Sequence, residues 1–170
     1  MRRMALARRP DDEGAARNRA LRLLERRPQS IGEITRKLKD RGYTAEAVRG
    51  AVTRLKNSGL LDDEKFARDM AAYRLNAKPQ GRRALVARLL YHSVKRELAE
   101  AIVQETMEGK DEADLAHEAA RRYAVRFRGK PMDEKARKRL EGHLARRGFG
   151  WNSISKALRR LGVDMEGAGD

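Results

Sequence analysis

The chain has 170 residues, with 40 Lys and Arg against 25 Asp and Glu, a formal net charge of +15 and a pI near 10.7. Its 5% aromatic and 38% charged content excludes a large central apolar core, and the absence of cysteine excludes disulfides and thiolate chemistry. The basic excess favours a polyanionic partner, nucleic acid before an anionic membrane surface; no run reaches transmembrane length, and a reducing bacterial cytoplasm is the expected setting.

The first fifteen residues combine Arg2, Arg3, Arg8 and Arg9 with Pro10, Asp11, Asp12, Glu13 and Gly14 and show no sustained apolar period, so a flexible basic arm is expected over 1–15. This basic start also lacks the apolar run of a signal peptide. A first helix follows to about Arg27, turning Ala20, Leu21 and Leu24 inward, and Pro28 ends it. Ser30-Ile31-Gly32-Glu33 spells a capping box, in which the Ser30 hydroxyl accepts from the Glu33 amide and the Glu33 carboxylate reaches back to the Ser30 amide. A second helix therefore starts at Ile31 and ends at Gly42. Thr44 caps a third, with Val48, Val52 and Leu55 inward, and Asn57-Ser58-Gly59 terminate it.

Leu60-Leu61-Asp62-Asp63-Glu64-Lys65-Phe66-Ala67 opens the next helix. Three adjacent acids resemble a metal site, but consecutive residues in a first turn project in different directions. Capping by Asp62, with Asp63 and Glu64 at the positive end of the helix dipole, is the preferred reading. Phe66, Met70 and Tyr73 continue an inner face until the turn Asn76 to Gly81, and helices over about 82–91 and 95–108 follow. After Gly109 comes an acidic opening (Asp111, Glu112, Asp114, Glu118). Leu115, Ala119, Tyr123 and Phe127 then track one helix face; Gly129-Lys130-Pro131 breaks it, and Asp133 caps the next helix.

One frame recurs three times: a helix, a turn and a second helix. Ile34, Leu38, Gly42, Tyr43, Val48, Val52 and Leu55 occupy it first. Leu85, Leu89, Ser93, Val94, Ala99, Val103 and Thr106 occupy it next, and Leu140, Leu144, Gly148, Phe149, Ile154, Leu158 and Leu161 last. The expected fold is all-α, an elongated array of three tandem three-helix repeats over 16–61, 62–108 and 109–162, with a frayed tail over 163–170. Each repeat holds six to nine large apolar side chains worth about 1.5–3 kcal/mol apiece when buried, so neighbours must support one another. Ser93 stands where the other copies have Gly. A left-handed backbone there costs about 1 kcal/mol relative to Gly, or else the turn differs.

Charge is uneven. Residues 1–61 carry a net +9, residues 62–107 a net +2 and residues 108–170 a net +4, but within the last block residues 121–160 hold 14 bases and 3 acids. Solvation of helix faces explains the number of charges but not their sign, which favours polyanion contact. The candidate basic surface, chosen for charge density and expected exposure, comprises Arg82, Arg83, Arg88, Arg121, Arg122, Arg126, Arg137, Lys138, Arg139, Arg146 and Arg147. His92, His117 and His143 lie in different helical regions with no partner at metal spacing, and there is no nucleophile triad or phosphate-binding glycine loop, so neither an enzyme nor a cofactor is expected. Trp151 is expected to seal the end of the last unit; stacking on an exposed base is the alternative.

The acidic run Leu60 to Ala67, the segment Pro79-Gln80-Gly81-Arg82-Arg83-Ala84-Leu85, and Leu140 through Leu144-Ala145-Arg146-Arg147-Gly148-Phe149 to Ile154 and Leu158 resemble the RecX family of recombination regulators over about residues 18–161. The resemblance implies a bacterial cytoplasmic protein of three three-helix repeats. Such a protein binds the RecA-type recombinase filament on single-stranded DNA, with direct DNA contact in addition, and inhibits strand exchange and ATP hydrolysis. It is expected to act as a monomer. The alternative is a general basic DNA-binding or nucleoid-type protein, since helix pairs joined by glycine also occur in DNA-binding motifs.

Overall fold

The computed structural model describes residues 7, 9–127 and 133–162, leaving aside the side chain of Phe127. The described residues form nine α-helices and a single 3-10 turn, with no strand: α1 Glu13–Leu24, α2 Ile31–Asp40, α3 Ala45–Asn57, α4 Asp63–Ala77, α5 Arg82–Tyr91, α6 Arg96–Thr106, α7 Glu112–Ala124, the 3-10 turn Val125–Phe127, α8 Glu134–Arg146 and α9 Trp151–Arg160. The order is the one the periodicity predicts, and the fold is an all-α repeat array. Two compact units divide the chain: residues 1–67 with 89–98, and residues 68–88 with 99–170. The expected middle repeat thus contributes to both.

In the first unit, Asp12, Ser30 and Thr44 cap α1, α2 and α3 by accepting from the amides of Ala15, Glu33 and Ala47. Ala16, Ala20, Ile34, Leu38, Val48, Ala51, Leu55 and Leu61 form its core. Asp62 caps α4 by accepting from the Glu64 and Lys65 amides at 2.9 and 3.0 Å. The expected arm is tied down in its described part: the Ala7 amide donates to Arg41 O and the Thr44 amide to Pro10 O, both at 2.8 Å. Two backbone bonds to the α2–α3 turn supply the partners that apolar periodicity could not announce. Residues 1–6 and 8, the expected break at Gly129-Lys130-Pro131 and the tail 163–170 lie outside the described residues.

The second half of the capping box is not made as expected. The Glu33 carboxylate accepts from Arg27 at 2.8 and 3.2 Å and lies 3.2 Å from Nδ1 of His92, while the Ile31 amide donates to Asp63 Oδ1 at 2.7 Å. The Ser30 hydroxyl donates to His92 O. Burial by itself would raise the Glu33 carboxyl, yet its bonds from Arg27 and His92 hold it below its ordinary value. Burial raises Asp63, against the hydrogen bond from Ile31. Ser93 adopts φ 62° and sits against Gly32, where a Cβ would stand 2.5 Å from that of Ser93. The middle turn is therefore left-handed, like the Gly42 and Gly148 turns at φ 89° and 79°.

The second unit repeats this junction with different residues. The Arg82 amide donates to Glu112 Oε1 at 2.9 Å and the Gly81 amide to Arg147 O at 2.9 Å. Its core gathers Ala116, Ala119, Ala120, Leu140, Leu144, Phe149, Ile154, Ala157 and Leu158. The buried residues of α7 are all alanines, whose small side chains let α9 approach closely.

Two expected inner-face residues point outward instead. Tyr73 is 71% exposed, since the buried stripe of α4 runs through Phe66, Ala67, Ala71 and Leu75. Trp151 is 58% exposed and seals nothing, because Ile154, Ala157 and Leu158 already fill the inner face of α9.

Candidate functional site

All eleven candidate cations belong to the second unit. Arg83, Arg121, Arg122, Arg126, Lys138, Arg139 and Arg146 are exposed, as their place on the outer helix faces requires. Arg82, Arg88 and Arg147 are half-buried. The Arg82 guanidinium donates to Gln104. Arg137 departs from the exposure expected of it: only 9% of it is accessible, and its guanidinium lies 2.9 Å from Glu134 Oε2 and 3.3 Å from Glu141 Oε1. Those acids stand three residues before it and four after it on α8, so the helix itself supplies its partners. Arg137 is thus buried and held by its own helix, unlike the exposed Lys138 and Arg139 beside it.

Asp133 caps α8 through the Ala136 amide at 2.7 Å, and Lys135, Lys138, Arg139 and Arg146 line one groove on the outer side of that helix. Glu134 partly neutralises that groove by pairing with Lys138 at 3.2 Å. A second shallow groove, beside Arg121 and Arg122, also contains an acid, Glu118, which holds Arg122 at 2.5 Å.

A third groove, of about 240 Å³, lies between the end of α4, α7 and α8. Lys78, Arg122, Arg126 and Arg147 bring four cations to it; Tyr123 and His143 bring two rings, and no carboxylate of the described residues lines it. The rings stack, with centroids 4.1 Å apart and planes 21° from parallel, and the Arg126 guanidinium carbon stands 5.0 Å from the Tyr123 ring centroid. Arg147 is aimed from behind: Nη1 donates to Pro79 O and Nε to His143 Nε2, both at 3.0 Å. Because His143 Nε2 accepts, its proton in the neutral ring sits on Nδ1. Desolvation, followed by the nearby charges of Arg147, Arg146 and Arg126, pushes His143 below its ordinary value.

Sequence reasoning reached Arg122, Arg126 and Arg147 but missed Lys78, Tyr123 and His143 as members of one site. The i, i+3 spacing of Tyr123 and Arg126 was a legible signal. The approach of Pro79 to Arg147, 68 positions apart, was not.

Asp62 and Asp63 are spent on capping α4 and holding the Ile31 amide. Among the described residues no three His, Asp or Glu side chains gather as metal ligands, and no helix is long and apolar enough to cross a membrane. The described histidines are dispersed: His92 packs edge-on against Phe66 at 5.7 Å, and His117 Nδ1 lies 3.5 Å from Ala157 O.

Comparison with known proteins is consistent across sequence and structure. The family model for the first three-helix domain of RecX matches residues 16–55, and that for the third three-helix domain matches residues 110–158. Regulatory protein RecX of Pelodictyon phaeoclathratiforme is 39% identical over 143 residues, covering 84% of this chain and 86% of that one. Its counterpart in Thermobifida fusca is 34% identical over 161 residues, covering 94% and 84%. The crystal structure of RecX from Lactobacillus salivarius superposes with a TM-score of 0.75 over 90% of this chain and 98% of that one; at 17% identity this is a likeness of fold.

Proposed function

Because the chain belongs to the RecX family of regulatory proteins, we propose that it binds a RecA-type recombinase filament on single-stranded DNA and inhibits strand exchange and the accompanying ATP hydrolysis. The observation that carries this reading is the cluster of exposed Arg and Lys on the outer faces of α7 and α8, one groove of which contains four cations and no acid. Such a surface is suited to a polyanion, and a filament on DNA presents phosphates along its length. The exposed Arg83, Arg121, Arg122, Arg126, Lys138, Arg139 and Arg146, together with Lys78 and Arg147 of that groove, are the contact residues in this reading, and single-stranded DNA is touched directly. Three sequence repeats, 16–61, 62–108 and 109–162, act multivalently. Several weak contacts joined in one chain raise the effective concentration of each and bridge neighbouring recombinase subunits, hindering growth or the motions coupled to turnover. The protein works as a monomer in the bacterial cytoplasm, without a cofactor and without catalysis of its own.

The test is ATP hydrolysis by the recombinase on single-stranded DNA during titration with this protein, beside a binding titration on the naked strand at matched salt. Loss of hydrolysis where naked DNA stays mostly unbound supports the filament as target. Unchanged hydrolysis beside strong, salt-sensitive binding to bare DNA overturns the proposal in favour of a general DNA-binding protein.

A further inference from the structure

We propose that the groove between Lys78, Arg122, Arg126 and Arg147 is a binding site for the phosphodiester backbone of single-stranded nucleic acid. The inference deepens the preceding reading and rests on it for the identity of the polyanion.

Three observations carry it. First, among the described residues the groove gathers four cations with no lining carboxylate, whereas each of two neighbouring grooves contains a glutamate. Like charges drawn together cost free energy in the empty protein, and a bound anion relieves that repulsion. Second, Arg147 is held in place by Pro79 O and His143, and Arg126 by the Tyr123 ring, so these guanidinium groups lose little freedom when an anion arrives. Arg122 is tethered only to Glu118 in a pair whose members are 58% and 50% exposed, and that contact yields readily to a phosphate. Third, at about 240 Å³ the groove has room for a phosphate with part of its sugar.

His143 forms the floor and reports occupancy. The charged and titratable groups facing it are Arg122 and Tyr123 on α7, Arg126 in the following turn, Lys78 after α4, and Arg146 and Arg147 on α8. With the groove empty these cations oppose protonation of the ring. A bound phosphate cancels them, so His143 gains affinity for its proton when the site fills. By linkage, binding tightens as pH falls through the His143 titration.

The experiment is an NMR pH titration of the His143 ring in the intact protein, alone, with an oligothymidylate of about eight nucleotides, with inorganic phosphate, and with an oligoglutamate. The expected result is a rise of about one pKa unit with the oligonucleotide, and a smaller rise with phosphate only at high concentration. In a parallel anisotropy titration, the double substitution Arg122→Gln with Arg126→Gln weakens oligonucleotide binding about tenfold and flattens its logarithmic salt slope by about 1.4. The control pair Lys156→Gln with Arg159→Gln, two exposed cations of α9 outside the groove, costs less than about threefold.

The proposal is overturned if the oligonucleotide fails to bind or binds with His143 unmoved. It is equally overturned if the α9 pair Lys156→Gln with Arg159→Gln costs as much as the groove pair, or if oligoglutamate moves the ring and the oligonucleotide does not. Failure of the broader reading looks different: the groove fills as described, but the protein leaves recombinase hydrolysis untouched.

Discussion

Replacing Gly148 by Ala isolates the energy of one close backbone approach in the second unit. Gly148 has φ +79°, and a Cβ built on it would stand 2.2 Å from the Ala84 amide nitrogen, 2.6 Å from its Cβ and 2.8 Å from its Cα. The obstacle is mainly backbone, so no side-chain rotation relieves it. Gly109 supplies the control within the same unit, with φ +70° and nothing within 4 Å of the added atom. Both substitutions place Ala in the left-handed region, at roughly 1 kcal/mol, and both restrict the unfolded chain equally. Their difference leaves the steric contribution, about 1–3 kcal/mol for overpacking. At about 2–4 °C per kcal/mol for a chain of this size, Gly148→Ala melts roughly 2–12 °C below Gly109→Ala. Trp151, the only tryptophan, lies three residues from Gly148, and its fluorescence follows this region while circular dichroism at 222 nm follows all helices. If Gly148→Ala proves no more costly than Gly109→Ala by either signal, the close packing of this turn on α5 is wrong.

Three further outcomes are expected. Glu33→Gln removes the charge that Arg27 and His92 face, at about 2–4 kcal/mol. Because the folded Glu33 pKa is depressed, its contribution is present above the unfolded value near 4.3 and lost as pH falls through the folded one, so urea midpoints for the variant depend less on pH on the acid side than those of the parent. Ser93→Gly relieves the left-handed strain at φ 62° but frees the unfolded chain, for a net gain below about 1 kcal/mol; a loss on urea titration contradicts the strain argument. Arg137→Ala lowers stability by about 1–3 kcal/mol while Arg139→Ala stays within about 0.5 kcal/mol, and only Arg139→Ala weakens inhibition of recombinase hydrolysis without loss of fold.

What could be read from sequence was local. The caps at Ser30, Thr44, Asp62 and Asp133 and the turns at Gly42, Gly59 and Gly148 depend on groups within a few residues of one another, and each occurs as the spacing predicts. The threefold helix frame was legible for the same reason, because apolar side chains three and four apart share a face. The concentration of cations over residues 121–160 was equally plain, since it needs only counting.

Tertiary structure decided where the polar groups end their reach. Glu33 satisfies the composition of a capping box, but a histidine 59 positions away and a nearby arginine offer a buried carboxylate stronger partners than its own helix start. Arg137 looks like its neighbours Lys138 and Arg139 in composition and its two glutamates are local, but the packing of the α8 face that carries Ala136, Leu140 and Leu144 is what buries it. The acid-free groove exists because the chain after α4 meets α7 and α8, and no local spacing encodes that meeting. Short-range hydrogen bonding and periodicity determine which helices form; the packing of distant segments determines which of their charges remain available to a partner.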